Sequence, residues 1–440
     1  MKKTGLITLY LLLLSVLNAQ NNNFQYHPTL VSVSFSGTPP LPSGKLVDYI
    51  PIRYDNNTGE FTAPQYIQQS QTKSPVAYVS GTKPKVSAKF KFICTNPNPP
   101  AKIWIRGTHE KLDANDVKFS FEAKEVPFVI GADIEYPSTL SDKAFTANRV
   151  NFYDYDFNIK WEYSLSSAGP WKPAGESVNP VYVTYKAPKP KNPSEGYDYF
   201  QTLLHHGCKY GEGSPTHASL YIKVRNYYSL KQVQRGDGFV LKYYDTWDCG
   251  NLTTQQLLAT GNGQCGAWAH MFIDVFKIQG YQSTENYCTI KPATGAGFYV
   301  KTWKFSSLPG ASGNVKYPYL NQSHFPETGQ YPDPILFPQG YNWQFGFSPE
   351  TPQVRDDVTG ASPLGGQNNA HPKSRFSNHQ FVRMFTQYYD PSYGVTYSNT
   401  AAMDAAMSGY VILGKFGGYW ADFVRANPAG VDVTLTLSDY

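Results

Sequence analysis

The sequence predicts a strand-rich protein of α+β class, with a β-sandwich region in its first half and a mixed α+β domain in its second. Charged residues make up only 16% of the chain, whereas Gly, Pro and Tyr number 36, 33 and 34. Such a composition favours strands and turns over long surface helices. Length is the third observation, because 440 residues are enough for two or three cores of ordinary domain size.

The N-terminus has the pattern of a signal peptide. Two lysines precede an apolar run, and Ala19 is a small residue at a suitable position for cleavage. We therefore expect residues 1–19 to be removed and the mature chain to be secreted, periplasmic or held at the cell surface. No later stretch approaches the roughly 20 apolar residues of a spanning helix, so we expect no transmembrane segment.

The net charge of the mature chain is small. Removal of Lys2 and Lys3 lowers the 38 basic residues by two against 33 acidic residues, which leaves a net charge of +3. An excess of this size does not indicate binding to nucleic acid or to an anionic surface. No spacing of cysteines and histidines suggests zinc, and we expect neither a metal nor another cofactor.

The first half of the mature chain is predicted to consist of strands. Residues 20–43 are polar and rich in Ser and Pro, and we interpret them as an extended lead-in. Residues 44–186 contain short alternating runs between turn residues, which predicts one or two immunoglobulin-like β-sandwich units. The alternating runs cover residues 86–95, 101–108, 117–123, 155–165 and 179–186.

A proline-rich linker, residues 187–196, separates this region from a second domain, residues 197–440. Helical periodicity replaces alternation in much of the second domain. The predicted helices cover residues 197–207, 252–261 and 267–280, and the predicted strands cover residues 297–305 and 378–385. A long insertion, about residues 306–370, is rich in Pro, Gly and aromatic residues, and we expect it to shape the access of substrate.

Cys265 follows a glycine-rich turn and lies at the start of an amphipathic helix, in the segment GNGQCGAWAHMF (261–272). Unpaired N–H groups and the helix dipole in such a first turn favour the thiolate, which is the nucleophilic form of cysteine. The alternative is a disulfide, which is common in exported proteins. Because five cysteines leave at least one outside any disulfide within the chain, this context makes Cys265 the expected free thiol.

A base and an orienting carboxylate are expected from one hairpin. His379 begins the strand NHQFVRMF, and Asp390 follows eleven residues later. If the chain turns back at residues 385–386, Asp390 lies opposite Phe381 and becomes a diagonal, same-face neighbour of His379. That turn lacks the Asn or Gly that a tight hairpin prefers. His371 is the alternative base, in a less strand-like context before a proline.

These motifs resemble those of the transglutaminase-like superfamily, which has a papain-like fold. The stretch GQCGAWA (263–269) is similar to the family's Gly-x-Cys motif, and LLATGNG (257–263) is similar to the segment that precedes it. HQFV (379–382) resembles the strand of the family histidine, and YDPS (389–392) resembles the family's aromatic-Asp-Pro motif. The resemblance covers about residues 197–400.

The resemblance implies that Cys265 is the nucleophile, His379 the general base and then acid, and Asp390 the residue that orients the histidine. The implied reaction is attack on an amide of a protein or peptide substrate, release of an amine, and resolution of a thioester by water or by a second amine. The Cys265 N–H would contribute to an oxyanion hole. Trp247 resembles a further oxyanion-hole residue, and the alternative is that it packs in the core.

Two functions follow from these expectations. The first is an exported cysteine peptidase or acyltransferase. The second is a non-catalytic surface binding or adhesion protein, in which the transglutaminase-like domain is a scaffold and the β region binds a glycan or another surface partner. Substitution of Cys265 would abolish the first function and leave the second unchanged.

Overall fold

The computed structural model describes residues 26–36, 52–53, 64–94, 99–109, 118–129, 131–189, 199–244, 250–292, 297–300, 315–316, 319–320, 336–337, 344–345, 365–369, 372, 375–376, 378–416, 419–425 and 433–440. The protein is of mixed α+β class and rich in strands, as predicted. It divides into two units, one of residues 1–51 with 60–183 and one of residues 52–59 with 184–440.

The first unit consists of two five-stranded sheets, in the orders β4-β3-β1-β6-β9 and β5-β11-β10-β7-β8. The strands up to residue 184 are β1 (Tyr26–Ser36), β2 (Ile52–Arg53), β3 (Tyr66–Ile67), β4 (Thr72–Lys73), β5 (Val76–Val79), β6 (Lys85–Cys94), β7 (Lys102–His109), β8 (Phe119–Pro127), β9 (Asp133–Leu140), β10 (Asn151–Ser164) and β11 (Lys172–Thr184). Buried apolar side chains from both sheets form one core. Trp161 lies inside it, with ring centroids 5.6 Å from Phe90 and 5.3 Å from Tyr136.

The stretch interpreted as an extended lead-in contains β1, which pairs with β6 along its whole length. The lead-in assignment is therefore corrected for residues 26–36. A bulge after Leu30 shifts the register, so that the buried positions change from even to odd numbers between Ser32 and Val33.

The second unit contains the helices and the remaining strands. The helices are α1 (Gln201–His205), continued by a π-helix (His206–Tyr210), then α2 (His217–Ser229), α3 (Thr254–Thr260), α4 (Cys265–Lys277) and α5 (Thr400–Ala406). The strands are β12 (Tyr199–Phe200), β13 (Lys242–Tyr243), β14 (Asn262–Gly263), β15 (Tyr287–Pro292), β16 (Gly297–Val300), β17 (Val315–Lys316), β18 (Tyr319–Leu320), β19 (Leu336–Phe337), β20 (Gln344–Phe345), β21 (Arg375–Phe376), β22 (His379–Met384), β23 (Gln387–Asp390), β24 (Val395–Tyr397), β25 (Met407–Phe416), β26 (Tyr419–Arg425) and β27 (Val433–Ser438).

Helix α4 packs against the antiparallel sheet β24-β23-β22-β15-β27. Its apolar side chains Trp268, Phe272 and Phe276 are all completely buried, as the helical spacing in the sequence predicts. Each end of α3 has a clear local cause. Thr253 and Gln256 form a capping box at its start, and Gly261 ends it in the left-handed region at φ 76°. The short parallel pair of β13 and β14 then leads directly into α4.

The predicted linker is bound to the second unit where the structure describes it. Lys189 N donates to Lys277 O over 2.9 Å, and Tyr185 N, just before the linker, donates to Gln279 Oε1 over 2.9 Å. Gly280 adopts φ +80° beside this segment, and a Cβ there would lie 2.6 Å from the Lys186 Cβ. Residues 187–189 are therefore not a detached spacer, and the rest of the linker lies outside the described residues.

The predicted signal peptide, residues 1–19, also lies outside the described residues, as does most of the insertion at about 306–370. No helix within the part of the chain that the structure describes is long and apolar enough to cross a bilayer.

Candidate active site

Cys265 is the first residue of α4 and carries a free thiol, as predicted. Its side chain is only 2% exposed. The chain reaches it through Gly263, where an added Cβ would lie 2.9 Å from Leu257 Cδ1 and 3.1 Å from Ala267 Cβ. The glycine-rich turn is therefore required by close packing of α3 against α4. It presents the sulfur at the positive end of the helix dipole.

His379 and Asp390 meet across the predicted hairpin. The pairing of Val382 with Tyr389 places Asp390 opposite Phe381, which confirms the predicted register. His379 Nε2 and Asp390 Oδ2 are 2.5 Å apart, and both side chains are completely buried. The turn between β22 and β23 has φ values of 49° and 66° at residues 385 and 386, in the region that Gly and Asn favour. The predicted register is therefore kept although Phe385 and Thr386 both disfavour the backbone conformation of this turn.

The second carboxylate oxygen of Asp390 is fixed by its own backbone turn. Oδ1 accepts from Ser392 N at 2.9 Å and from Tyr393 N at 3.3 Å. An Asp followed by Pro commonly forms this kind of side-chain-to-backbone turn. With Oδ1 bound in this way, Oδ2 is directed at the histidine.

The charge state of His379 depends on its two acidic neighbours. Burial lowers the pKa of the ring, but the charges and hydrogen bonds of Asp390 and Cys265 raise the pKa by more, so that the net shift is upward. Because Nε2 faces Asp390, Nδ1 is the ring nitrogen that can exchange a proton with the Cys265 sulfur. Cys265, His379 and Asp390, which lie 114 and 11 residues apart in sequence, are thus brought into one site.

Aromatic rings enclose this site. Phe376 and Tyr393 lie 4.7 and 5.9 Å from the His379 ring, measured between centroids. Burial raises the pKa of Tyr243 and of Tyr393, and both tyrosines also interact electrostatically with Cys265. Low-polarity surroundings of this kind strengthen the interaction between the imidazole and its carboxylate.

Gln380 contacts the cysteine and was not identified from the sequence. Cys265 Sγ donates to Gln380 Oε1 over 3.1 Å, and Gln380 Nε2 donates to Asn378 Oδ1 over 3.0 Å. A Cβ on Gly266 would lie 3.1 Å from the same Oε1. Successive residues of a strand point to opposite faces, so the sequence gives no reason to place both His379 and Gln380 near one sulfur.

A second group missed by sequence reasoning is the run Gln367-Asn368-Asn369. Their side-chain amides bind backbone carbonyls of the loops around the site. Gln367 Nε2 donates to Tyr228 O and Pro391 O (2.8 and 2.7 Å), Asn368 Nδ2 to Val233 O and Leu241 O (2.8 and 2.7 Å), and Asn369 Nδ2 to Tyr243 O and Tyr244 O (2.9 and 2.8 Å). Polar residues in a row predict a loop, and only the fold shows that their amides hold residues 228–244 and Pro391 to this segment.

Two predicted site residues lie outside the described residues: Trp247, the second oxyanion-hole candidate, and His371, the alternative base. His206 is completely buried, with Nδ1 3.0 Å from Tyr228 Oη and Nε2 2.6 Å from Gln234 O. Among the described residues, no group of three or more His, Cys, Asp or Glu side chains is arranged to hold a metal ion.

A scan of family models gives no match to this chain, and no curated protein is significantly similar to it. A thiol at a helix start, an imidazole with a raised pKa and a buried carboxylate together make an arrangement suited to nucleophilic attack on a carbonyl.

Proposed function

We propose that the protein is an exported cysteine enzyme with a transglutaminase-like domain of papain-like fold, acting on amide bonds of a protein or peptide. The observation that carries this proposal is the 2.5 Å contact between buried His379 and Asp390, made in the site that also contains the Cys265 thiol. A buried histidine with a purely structural role needs no carboxylate partner, whereas a carboxylate that orients the ring is a common third member beside a nucleophile and its base.

The proposed reaction has two halves. His379 accepts the thiol proton, and the Cys265 thiolate attacks the amide carbon. The imidazolium then gives its proton to the leaving amine, and a thioester remains. Water or a second amine resolves the thioester, with His379 again as base. Asp390 holds the ring in one tautomer and stabilises its charged form throughout.

The start of α4 supports the developing negative charge on the substrate oxygen. The N–H groups of Cys265 and Gly266 belong to the first turn of the helix, where backbone donors have no acceptor within the helix. Donors in this position stabilise an oxyanion in a site that excludes water.

The test is a comparison of Cys265→Ala with Cys288→Ala. Both thiols are free and buried. Cys288 lies on β15, the strand that pairs with β22. Peptide libraries incubated with each variant and analysed by mass spectrometry report both hydrolysis and crosslinking. We expect Cys265→Ala to lose all turnover and Cys288→Ala to retain it. Full turnover by Cys265→Ala would refute the proposal.

Alkylation provides an independent readout. In Gln380→Met, which lacks the amide that contacts the Cys265 sulfur, iodoacetamide should modify Cys265 much faster than Cys288, because burial raises the pKa of the Cys288 thiol to about 12. Equal rates of alkylation at the two thiols in the folded protein would argue against an activated nucleophile.

We propose ligand binding by the first unit as a second candidate function. A groove of about 690 Å³ lies in this unit and has both aromatic and polar residues along it, including Tyr66, Gln68, Lys73 and Tyr163. Its volume is in the range of small-ligand sites. Glycan arrays probed with wild type and Lys73→Ala would test this function. It is refuted if neither protein binds any glycan on the array.

A further inference from the structure

An amide of the protein itself lies against Cys265. The thiol donates to Gln380 Oε1 over 3.1 Å, and a carbonyl bond is about 1.23 Å long, so the Gln380 amide carbon is within about 4.3 Å of the sulfur. Reacting atoms in a near-attack arrangement are about 3–3.5 Å apart. The sulfur and the amide carbon therefore have to approach each other by about 1 Å at most to reach that distance.

We propose that Cys265 and Gln380 form an intramolecular thioester. This inference rests on the proposed function, because it uses the same nucleophile and the same base. It differs in its acyl donor, which is a glutamine of the same chain and not a foreign peptide. His379 precedes Gln380 on β22, so the base and the amide are carried by one strand.

The step balances without an additional reactant. The Cys265 sulfur attacks the Gln380 amide carbon, a carbon–sulfur bond forms, and the carbon–nitrogen bond breaks. The thiol proton passes through His379 to the departing nitrogen, which leaves as ammonia. Gln380 Nε2 donates to Asn378 Oδ1, and Asn378 is an exposed residue, so the leaving group is on a path to solvent.

The surroundings of Gln380 Oε1 suit the charge that this reaction develops. A Cβ on Gly266 would lie 3.1 Å from Oε1 and 3.3 Å from Tyr287 Oη, so the glycine leaves room for both groups beside the first turn of α4. The backbone donors of that turn and the tyrosine hydroxyl are groups that stabilise an oxyanion. A Cβ at position 266 would require Oε1 to shift by a few tenths of an ångström.

The product defines the chemical class of the partner. A thioester reacts readily with primary amines, and Gln380 is partly exposed, so an amine from solvent has access to it. Attack by a lysine side chain would join that lysine to Gln380 through an amide bond and release the Cys265 thiol. The protein would then attach itself covalently to amine-bearing surfaces.

The experiment is intact-mass spectrometry of the purified full chain, before and after incubation with methylamine. We expect the wild type to lack the mass of one ammonia and then to gain the mass of one methylamine, located at Gln380 by peptide mapping. Cys265→Ala and Gln380→Met should show the full mass and no methylamine. Gln387→Met, on the neighbouring strand β23, is the matched control and should behave as wild type.

Two further results are informative. Deamidation confined to Gln380, and absent from Cys265→Ala, would indicate a thioester that water has opened and would support the inference. A wild type of full mass that takes up no methylamine and keeps an intact Gln380 amide overturns it. If that protein still releases ammonia from a foreign peptide through Cys265, the proposed function stands alone; if it does not, both fail. Thermal unfolding of each variant verifies that it is folded.

Discussion

Two completely buried histidines of the second unit differ in what faces them. His379 Nε2 is 2.5 Å from the Asp390 carboxylate, and Cys265 is a further partner of the ring. His206 lies between a tyrosine hydroxyl and a backbone carbonyl, and neither group carries a charge. Burial lowers the pKa of His206 to about 3, although the Gln234 carbonyl raises it in part. In His379 the carboxylate and the cysteine overcome the same burial, and the pKa rises.

The comparison shows that burial alone does not make a histidine a base. His206 is neutral at pH 7 and fastens α1 and its π-helix continuation to Tyr228 on α2. His379 is held ready to carry a proton, because a carboxylate stabilises its charged form.

The largest expected effect is that of Asp390→Asn. The amide keeps the shape of the side chain but removes the charge that stabilises imidazolium, so we expect turnover to fall on the order of 10⁴-fold. Breaking a buried pair also lowers the free energy of unfolding, by about 3–5 kcal/mol. Kinetics on the best peptide substrate and chemical denaturation measure the two losses. Turnover within tenfold of wild type would show that the carboxylate is not part of the reaction.

His206→Phe should separate stability from activity. The ring is replaced by one of similar shape, and the Tyr228 hydroxyl and Gln234 carbonyl lose their shared partner. We expect a loss of about 2–6 kcal/mol in the free energy of unfolding, because each of the two buried polar groups left without a partner costs about 1–3 kcal/mol. Turnover per folded molecule should stay at the wild-type level. A large loss of turnover in a fully folded variant would contradict the structural role of His206 and its contrast with His379.

The two histidines should give opposite pH dependence of stability. The pKa of His206 falls on folding from 6.5 to about 3, so its contribution is complete above pH 6.5 and is lost as the pH falls through this window. The pKa of His379 rises on folding, so its contribution is complete below pH 6.5 and is lost as the pH rises towards the folded-state value. Each slope is at most about 1.4 kcal/mol per pH unit.

Denaturation of the variants over about pH 4 to 9 checks these signs. His206→Phe should flatten the decline on the acid side, and Asp390→Asn should flatten the decline on the alkaline side. The reverse assignment, or an unchanged profile in both variants, would contradict the pKa directions on which the comparison depends.

The smallest expected effect is in the turn that aligns His379 with Asp390. Thr386 is β-branched and has φ 66°, a conformation that costs such a residue free energy and costs glycine little. We expect Thr386→Gly to raise the free energy of unfolding by about 1 kcal/mol, with turnover unchanged because the register is kept. Phe385→Gly serves as a contrast, since the Phe385 ring packs 5.1 and 5.5 Å from Tyr281 and Tyr221.

Several local features could be predicted from the sequence because their causes are local. The helix start at Cys265 follows from a glycine turn and apolar spacing, and the diagonal relation of His379 to Asp390 follows from counting residues around a hairpin. The strand β1 was missed because the Ser and Pro residues around it gave the segment a polar composition. Gln380 was missed because its contact with Cys265 depends on where a helix end meets a strand.

The sequence alone therefore determined the α+β class, strands such as β6, β7 and β10, and the residue types able to perform thiol chemistry, since periodicity and turn residues act over a few positions. Only the tertiary structure decided which histidine has a carboxylate beside it, that three amides at residues 367–369 fasten the surrounding loops, and that a glutamine amide touches the thiol. Those contacts join residues up to 139 positions apart, so a pattern that extends over a few neighbouring residues cannot encode them.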